Sequence, residues 1–212
     1  IGRKGIATFD IEIIGKAAHA GNHYADGIDA NYALANMLTE MTALTDLKKG
    51  STVNVGKISG GLSTNTISPK ANMMVEARFK TLKEQQRLLK GIENICFAME
   101  ITGVQINVNG GLQRGVMSPD TMQQQLLDEI AMILDEPLKT EQRGGVSDAN
   151  VVSAVGVPTL DGFGPYGDGD HTIHERALKS SFELRIRQVT QILSAWCFSA
   201  QSQAQQLNSE VV

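Results

Sequence analysis

Cysteine is scarce in this sequence, and its spacing excludes one class of metal site. Only Cys96 and Cys197 occur among the 212 residues, and neither belongs to a CxxC or CxxH pair. A zinc knuckle needs closely spaced cysteine or histidine ligands of that kind. Both cysteines lie in long segments with apolar periodicity, so we expect buried, unreactive thiols.

Dense basic runs and long apolar runs are also missing. The net charge is −4, and lysine and arginine form no cluster of the kind that neutralises phosphates or docks on an anionic membrane. No apolar run approaches the roughly 18 residues needed to cross a bilayer. We therefore expect a soluble protein with neither nucleic acid nor a membrane among its partners.

The chain starts with Ile1 rather than methionine. Any leader peptide would have preceded this residue, so the sequence leaves the compartment open between cytoplasm and periplasm. We also expect the chain to be part of a longer protein.

The first half of the chain, in which strands and helices alternate, has enough apolar residues for a core. Apolar periodicity predicts strands at residues 6–14, 51–59, 71–79 and 104–110, and helices at 25–44 and from 81 onward. The apolar stripe of the first helix is Ile28, Tyr32, Ala35, Leu38 and Met41, and that of the second is Leu88, Leu89, Ile92, Ile95 and Met99. The order strand, helix, strand, strand, helix, strand predicts a ferredoxin-like βαββαβ domain over residues 1–115, with both helices on one face of the sheet.

The pattern changes after a glycine-rich hinge at residues 111–117. Helices are predicted at 119–134, 148–154 and 180–201, with short strands at 138–141 and 157–160. Two short strands cannot form a self-sufficient parallel sheet. We therefore interpret residues 116–205 as the incomplete C-terminal portion of an α/β domain, and residues 206–212 as a polar tail.

The segment GDGDHTIHERA carries the strongest local signal for chemistry. His171 lies there in a glycine-rich loop after a predicted strand, a location where α/β proteins often bind ligands. A neutral imidazole is a natural zinc ligand, and Asp168, Asp170 or Glu175 could hold its second nitrogen. The alternative is an exposed polar histidine without a ligand.

Two other segments carry weaker signals. In RGGVSDAN, residues 143–150, the glycine turn has backbone N–H groups suited to a carboxylate or an oxyanion, and the alternative is a capped helix start. Ser147 is not a credible nucleophile because no GxSxG elbow surrounds it. In GKAAHAG, His19 has small neighbours that permit close approach to a ligand or another chain, and the alternative is a surface turn.

Six blocks follow one another along nearly the whole chain. They are the strand ending in GKAAHAG, the GGLSTNTISPKA loop, the VEAR strand, the GGLQRG hinge, RGGVSDA, and PTLDGFGPYGDGDHTIHE. In this order they resemble the zinc-dependent glutamate carboxypeptidase, acetylornithine deacetylase, succinyl-diaminopimelate desuccinylase and aminoacylase family of metallopeptidases.

The resemblance implies a fold, a partner and a reaction. The fold is a ferredoxin-like lid, which is also the dimerisation domain, followed by the later part of an α/β zinc-hydrolase domain. The partner is a second copy, bound through the lid. The reaction is hydrolysis of an amide bond next to a free carboxylate, in a C-terminal residue or an N-acyl amino acid, by water activated between two zinc ions. The resemblance does not choose between a carboxypeptidase and a deacylase.

The resemblance also assigns roles to residues. His171 matches the family's last metal ligand, and His19 matches a catalytic lid histidine that reaches the partner's active site and stabilises the tetrahedral intermediate.

Five further residues match substrate-binding positions. Asn65 matches a lid asparagine that contacts substrate, and Arg78 and Arg114 match arginines associated with the substrate carboxylate. Gly145 and Ser147 match the turn that lines the substrate pocket. For Arg78 a structural ion pair is an equally weighted alternative.

The chain departs from the family pattern in its metal ligands. The family's earlier half carries an HxD pair, a bridging aspartate and adjacent glutamates, and neither HxD nor Glu-Glu occurs here. A working zinc site needs about three protein ligands, so we expect this chain alone to be inactive and not to retain zinc. The alternatives are a non-catalytic dimerisation or binding module and, third, a small-molecule-binding regulatory domain, which would leave GDGDHTIHE unexplained.

Overall fold

The computed structural model describes the backbone of residues 1–100 and 102–209, with side chains described as far as residue 198. These residues form two compact units. The first, called the lid unit here, contains Gly2–Ser118 and Gln142–Val157. The second unit contains Ile1, Pro119–Glu141 and the chain from Pro158 onward.

The lid unit is built around a four-stranded antiparallel sheet. Its elements are β1 (Gly2–Arg3), β2 (Gly5–Ile14), α1 (Ala30–Ala43), β3 (Thr52–Gly60), β4 (Lys70–Phe79), α2 (Leu82–Glu100) and β5 (Gln105–Arg114). The strand order is β3-β4-β2-β5, and β2 pairs with β4 over its whole length. This order confirms the ferredoxin-like prediction and the α/β class.

The core of the lid unit lies between the sheet and the two helices. Period-two alternation turns Ile11, Ile13 and Met73 inward, where α1 and α2 cover them. In α2 the buried residues follow the predicted stripe closely, from Leu88 to Met99.

Helix α1 begins later than predicted and buries a different stripe. Asp29 is its N-cap, because its Oδ1 accepts hydrogen bonds from the N–H groups of Asn31 (2.9 Å) and Tyr32 (3.2 Å). Residues 24–26 form a separate 3₁₀ turn. The buried residues are Ala30, Ala33, Leu34, Met37 and Met41, whereas Tyr32 is 70% exposed. The predicted stripe was therefore wrong for this helix except at Met41.

Strand β5 extends four residues into the segment predicted as a hinge. Gly110 and Gly111 have φ angles of 105° and 142°, which glycine adopts without steric cost. The register of the β2–β5 pairing shifts between Ile6 and Ala7. This irregularity allows pairing to continue to Arg114, so only residues 115–117 lie outside the strand.

The other elements are mostly helical. They are α3 (Thr121–Leu134), β6 (Gln142–Arg143), α4 (Ala149–Ala154), β7 (Gly167–Asp168), β8 (Arg176–Ala177) and α5 (Lys179–Ser209). Strand β6 pairs in parallel with β1 within the lid unit, and β7 pairs with β8 as a small hairpin in the second unit. In the second unit α3 and α5 bury Ile130, Leu134 and Ile192. None of the described helices has the length and apolar character of a bilayer-spanning segment.

Three of the sequence predictions for the later half were wrong, two for strands and one for the burial of a cysteine. Residues 138–141 and 157–160 are not strands, because neither stretch has a neighbouring strand to pair with among the described residues. Cys197 is exposed rather than buried, whereas Cys96 is buried as expected. Burial raises the pKa of the Cys96 thiol to about 11, which leaves it protonated and unreactive at neutral pH.

A charged network joins the start of α2 to the turn before β3. Glu84, whose side chain is 5% exposed, accepts hydrogen bonds from the Arg87 guanidinium (2.6 Å) and the Ser51 hydroxyl (2.6 Å). Arg87 also donates to the carbonyl of Leu44. Hydrogen bonds from Arg87 lower the pKa of Glu84 against the opposing effect of burial. The carboxylate is thus ionised inside the protein, with Oε2 bonded to both the guanidinium and the hydroxyl.

We predict that Arg87→Met destabilises the chain by about 3 kcal/mol, because it leaves a buried carboxylate without its cation. The matched control is Lys90→Met, which breaks the exposed Lys90–Glu93 pair and should cost less than about 1 kcal/mol. Urea unfolding of both variants at neutral pH measures the difference. The stabilisation by Arg87 is present above the usual pKa of 4.5 and disappears as pH falls through the lowered value. Equal destabilisation by the two variants would contradict a buried pair.

Candidate functional site

Two segments with predicted site residues meet beyond the C-terminal end of β2. The N–H of Ala20 donates to the carbonyl of Asn65 (2.9 Å), and the N–H of Ile67 donates to the carbonyl of Ala18 (2.9 Å). His19 itself forms an isolated bridge with Thr66. The structure therefore brings His19 and Asn65 onto adjacent backbone segments. We call this region the histidine end of the lid.

The imidazole of His19 is held in one tautomer by the backbone. Its Nδ1 accepts hydrogen bonds from the N–H groups of Gly21 and Asn22, both at 3.1 Å. A nitrogen that accepts cannot carry a proton, so the neutral ring has its proton on Nε2. Because the side chain is exposed, Nε2–H is available as a hydrogen-bond donor.

The amide of Asn65 is oriented in a comparable way. Its Oδ1 accepts from the hydroxyl of Ser63 (2.7 Å), and the hydroxyl of Thr66 lies at 3.4 Å. These contacts occupy the acceptor and leave the Nδ2 group to donate. The histidine end thus presents two exposed side chains whose outward groups are hydrogen-bond donors, which suits a developing oxyanion or a substrate carbonyl.

The predicted arginines lie at the opposite end of the sheet, beside the turn of residues 143–147. Arg78 forms an ion pair with Glu76 (2.7 Å) and donates from Nη1 to the carbonyl of Gly144 (3.2 Å). Arg114 lies 3.8 Å from the exposed carboxylate of Asp148. This ion pair matches the structural role that the sequence left open for Arg78. The Arg78 guanidinium also binds the turn. We call this region the arginine end.

Ser147 caps helix α4. Its hydroxyl accepts from the N–H of Ala149 (3.2 Å), and no capping bond comes from Asp148. This geometry corresponds to the alternative of a capped helix start. Gly145 is exposed in the turn, and its carbonyl accepts from Nη1 of Arg3 (3.0 Å). The turn is therefore held by hydrogen bonds on both sides of its glycines.

Sequence reasoning missed two residues of the arginine end, Arg3 and Asn150. Arg3 lies in β1 and binds Gly145, but a single arginine before a strand gives no recognisable signal. Asn150 is fully buried and binds three backbone segments. Its position in the SDAN sequence at a helix start was the only available hint.

The two ends are too far apart to serve one small substrate in a single chain. Ile6 of β2 pairs with Arg78 and Arg114, whereas Ile14 pairs with Lys70 and Gln105 next to the histidine end. Eight residue steps along a strand span about 26 Å. The structure thus brings His19 together with Asn65, and Arg78 together with Arg114 and the turn, but it does not join the two groups.

His171 lies in the second unit, at the tip of the β7–β8 hairpin. Its φ is 63°, and its N–H donates to Glu175 (3.3 Å). Asp168 binds the side chain of Arg176 (2.7 Å). No described contact therefore joins either carboxylate to the imidazole ring, which is exposed. Among the described residues no group of three or more histidine, cysteine or acidic side chains is arranged to hold a metal ion.

Comparison with known proteins connects this geometry to a family. Residues 1–99 match the family model described as the peptidase dimerisation domain. The chain is 26% identical over 155 residues to the uncharacterised protein YqjE of Bacillus subtilis, covering 70% of this chain and 41% of that protein. It is 23% identical over 176 residues to carboxypeptidase G2 of Pseudomonas sp., covering 81% and 42%.

A solved structure extends the likeness to the fold. The tripeptidase of Staphylococcus aureus is 24% identical, with a TM-score of 0.72 over 91% of this chain and 52% of that chain. At this identity the likeness shows the fold alone. The chain spans about two fifths of the length of the two curated relatives named above.

We predict opposite tautomers for two exposed histidines of the lid unit. His19 should carry its proton on Nε2, because Nδ1 accepts from two amides. His23 should carry its proton on Nδ1, because this nitrogen lies 3.4 Å from the Asp26 carboxylate. Nitrogen NMR of histidine-labelled protein, at an alkaline pH where both rings are neutral, distinguishes the two forms. A proton on Nδ1 of His19 would remove the argument for an outward donor.

Proposed function

We propose that the whole protein is a di-zinc amidohydrolase. The premise is that this chain belongs to the M20 peptidase family through its dimerisation domain. Its substrate carries a free carboxylate next to the scissile amide, as in a C-terminal residue or an N-acyl amino acid. The family model and the likeness to carboxypeptidase G2 support a hydrolase. Zinc, substrate class and the residue roles below belong to the proposal.

The separation of the histidine end from the arginine end carries the proposal. Both ends carry groups suited to an amide substrate, with donors for an oxyanion at one end and arginines beside a glycine turn at the other. About 26 Å of strand lies between them. A small substrate that uses both must therefore sit between two copies of the lid, with His19 supplied by the partner.

His171 fits the role of a metal ligand by its chemistry. Its imidazole is exposed at a hairpin tip, so it can approach a metal without rearrangement of the chain. It supplies one ligand, and the others come from outside this chain. When bound, zinc polarises the amide carbonyl and acidifies a water molecule.

The chain's own residues bind and orient the substrate. In the partner copy, Nε2–H of His19 and the amide of Asn65 donate to the oxygen that gains charge during hydrolysis. At the arginine end, Arg114 and the backbone of Gly145 and Ser147 bind the free carboxylate. Arg78 either shares this task or holds the turn through Gly144.

One of the two edges of the sheet has features that favour self-association. Strand β3 is an edge strand, and residues 56–60 of it are exposed. Ile58 is 53% exposed, and Leu62 and Tyr32 nearby are 75% and 70% exposed. An open edge with apolar side chains pairs readily with another chain. We infer a homodimer formed through the β3 edge and the start of α1.

A non-catalytic dimerisation or binding module is the second candidate. It would keep the lid and its exposed edge but would need neither an exposed histidine at the hairpin tip nor the outward Nε2–H of His19. Metal content and hydrolysis of the full-length protein distinguish the two candidates.

We predict that His171→Ala in the full-length protein lowers its zinc content and abolishes hydrolysis of N-acyl amino acids and C-terminal peptide bonds. The matched control is His174→Ala, because His174 is exposed three residues away on the same hairpin. Metal analysis after dialysis and an amide hydrolysis assay measure both effects. Unchanged zinc stoichiometry in His171→Ala would exclude this residue as a ligand. A full-length wild type with neither zinc nor activity would favour the non-catalytic module.

We predict that His19→Ala retains zinc and loses roughly a hundred- to a thousandfold in turnover, the usual effect of removing one oxyanion donor. Because His19 acts in the partner's site, mixing His19→Ala subunits with His171→Ala subunits should restore activity. One site of each mixed dimer then combines intact metal ligands with an intact His19.

Self-mixtures of each variant are the controls for this experiment, and two different affinity tags isolate the mixed dimer. No recovery in verified mixed dimers would mean that His19 acts within its own chain or not at all. A monomer in sedimentation at all concentrations would contradict the dimer.

A further inference from the structure

Asn150 is completely buried, and its amide forms three hydrogen bonds to backbone groups. Its Oδ1 accepts from the N–H of Ser147 (2.9 Å). Its Nδ2 donates to the carbonyls of Lys4 (3.1 Å) and Gly115 (2.8 Å). The last two partners lie 146 and 35 residues away in the sequence. All three partners are backbone groups, so the amide joins the segments that carry them.

The three segments share a structural position. Lys4 directly precedes β2, and Gly115 directly follows β5, so these are the two connections of the ferredoxin-like domain to the rest of the chain. Ser147 belongs to the glycine turn of the arginine end. The connections also pair with each other, since Arg3 and Met117 exchange two backbone hydrogen bonds (2.9 and 3.1 Å). Lys4 donates further to the carbonyl of Arg143 (3.2 Å).

We propose that Asn150 is a positioning residue that couples the glycine turn to both connections of the lid. The turn and both connections are then ordered together, so that ligand binding at the turn also stabilises the two connections. This inference depends on the proposed function in one respect, namely that the ligand of the turn is a carboxylate.

The chemistry of the three partners requires a carboxamide at this position. One partner is an N–H and two are carbonyls, so the side chain must offer one acceptor and two donors. Aspartate offers acceptors only, and serine offers one O–H. Replacement of Asn150 by a residue without a carboxamide therefore loses at least one of these three hydrogen bonds.

The test uses the full-length zinc-loaded protein, with Asn150→Ala as the principal variant and Asn150→Ser as a milder one in case the first does not fold. The control is Asn94→Ala, because Asn94 is exposed on α2. Amide hydrogen exchange is measured by mass spectrometry for residues 1–5, 113–118 and 143–148, with and without N-acetylglutamate as the probe. The centre of β2 serves as an internal reference.

In the wild type the probe should slow exchange in the turn and in both lid connections. In the Asn150 variants it should slow exchange in the turn alone, and ligand-free exchange should rise in all three segments while the centre of β2 stays protected. For an N-acyl amino acid substrate, kcat/KM per bound zinc should fall roughly tenfold, mainly through KM, as expected for a lost hydrogen bond. Asn94→Ala should change none of these values.

Two outcomes would overturn the coupling. One is wild-type protection that is confined to the turn, and the other is an unchanged protection pattern in both Asn150 variants. If the wild type neither hydrolyses N-acyl amino acids nor responds to the probe, the proposed function fails. Hydrogen exchange without ligand then still tests the inference. Faster exchange of all three segments in the Asn150 variants supports the coupling, and faster exchange of the turn alone refutes it.

Discussion

Strand β2 is hydrogen-bonded on both sides, to β4 over ten residues and to β5 over most of its length. Its length determines where the chemistry of the lid can lie, because each residue adds about 3.3 Å. The loop that follows its C-terminal end carries His19. The segment that precedes its first residue carries Arg3 and receives Asn150. The central strand thus separates two sets of polar groups by a fixed distance, and neither set can approach the other without loss of the sheet. This rigid spacing makes a second copy of the lid necessary if both sets act on one substrate.

The arginine end shows how a fold stabilises backbone that lies outside helices and strands. The carbonyls of Gly144 and Gly145 accept from arginine side chains, and those of Lys4 and Gly115 accept from Asn150. Because unpaired buried backbone groups are costly, these side chains keep an irregular turn in one conformation. Guanidinium and carboxamide groups suit this task, since each offers several donors in a plane. The conformation of the turn therefore depends on these side chains as well as on its glycines.

The elements that could be predicted from sequence are those determined by local patterns. Strands β2 to β5 and helix α2 follow from periodicity, because their buried faces alternate or repeat within a few residues. The apolar stripe of α1 was misplaced, because Tyr32 fits the apolar periodicity but lies on the exposed face. The start of the helix is fixed by the cap at Asp29. Residues 138–141 and 157–160 have strand-like sequences, but a strand also needs a neighbour. The tautomer of His19 and the contacts of Asn150 depend on backbone groups from other segments, which no local pattern contains.

The backbone of His171 gives an independent physical argument for a role in the proposed metal site. Only two non-glycine residues among those described have positive φ, Asp135 and His171. Asp135 ends helix α3, where its N–H binds the carbonyls of Ala131 and Met132, so helix termination explains its conformation. His171 ends no helix and sits at the tip of a hairpin closed by the Asp168–Arg176 ion pair. A left-handed conformation costs a non-glycine residue about 1–3 kcal/mol, and glycine would remove that cost. Glycine, however, has no imidazole, and the proposed metal site requires one at this position.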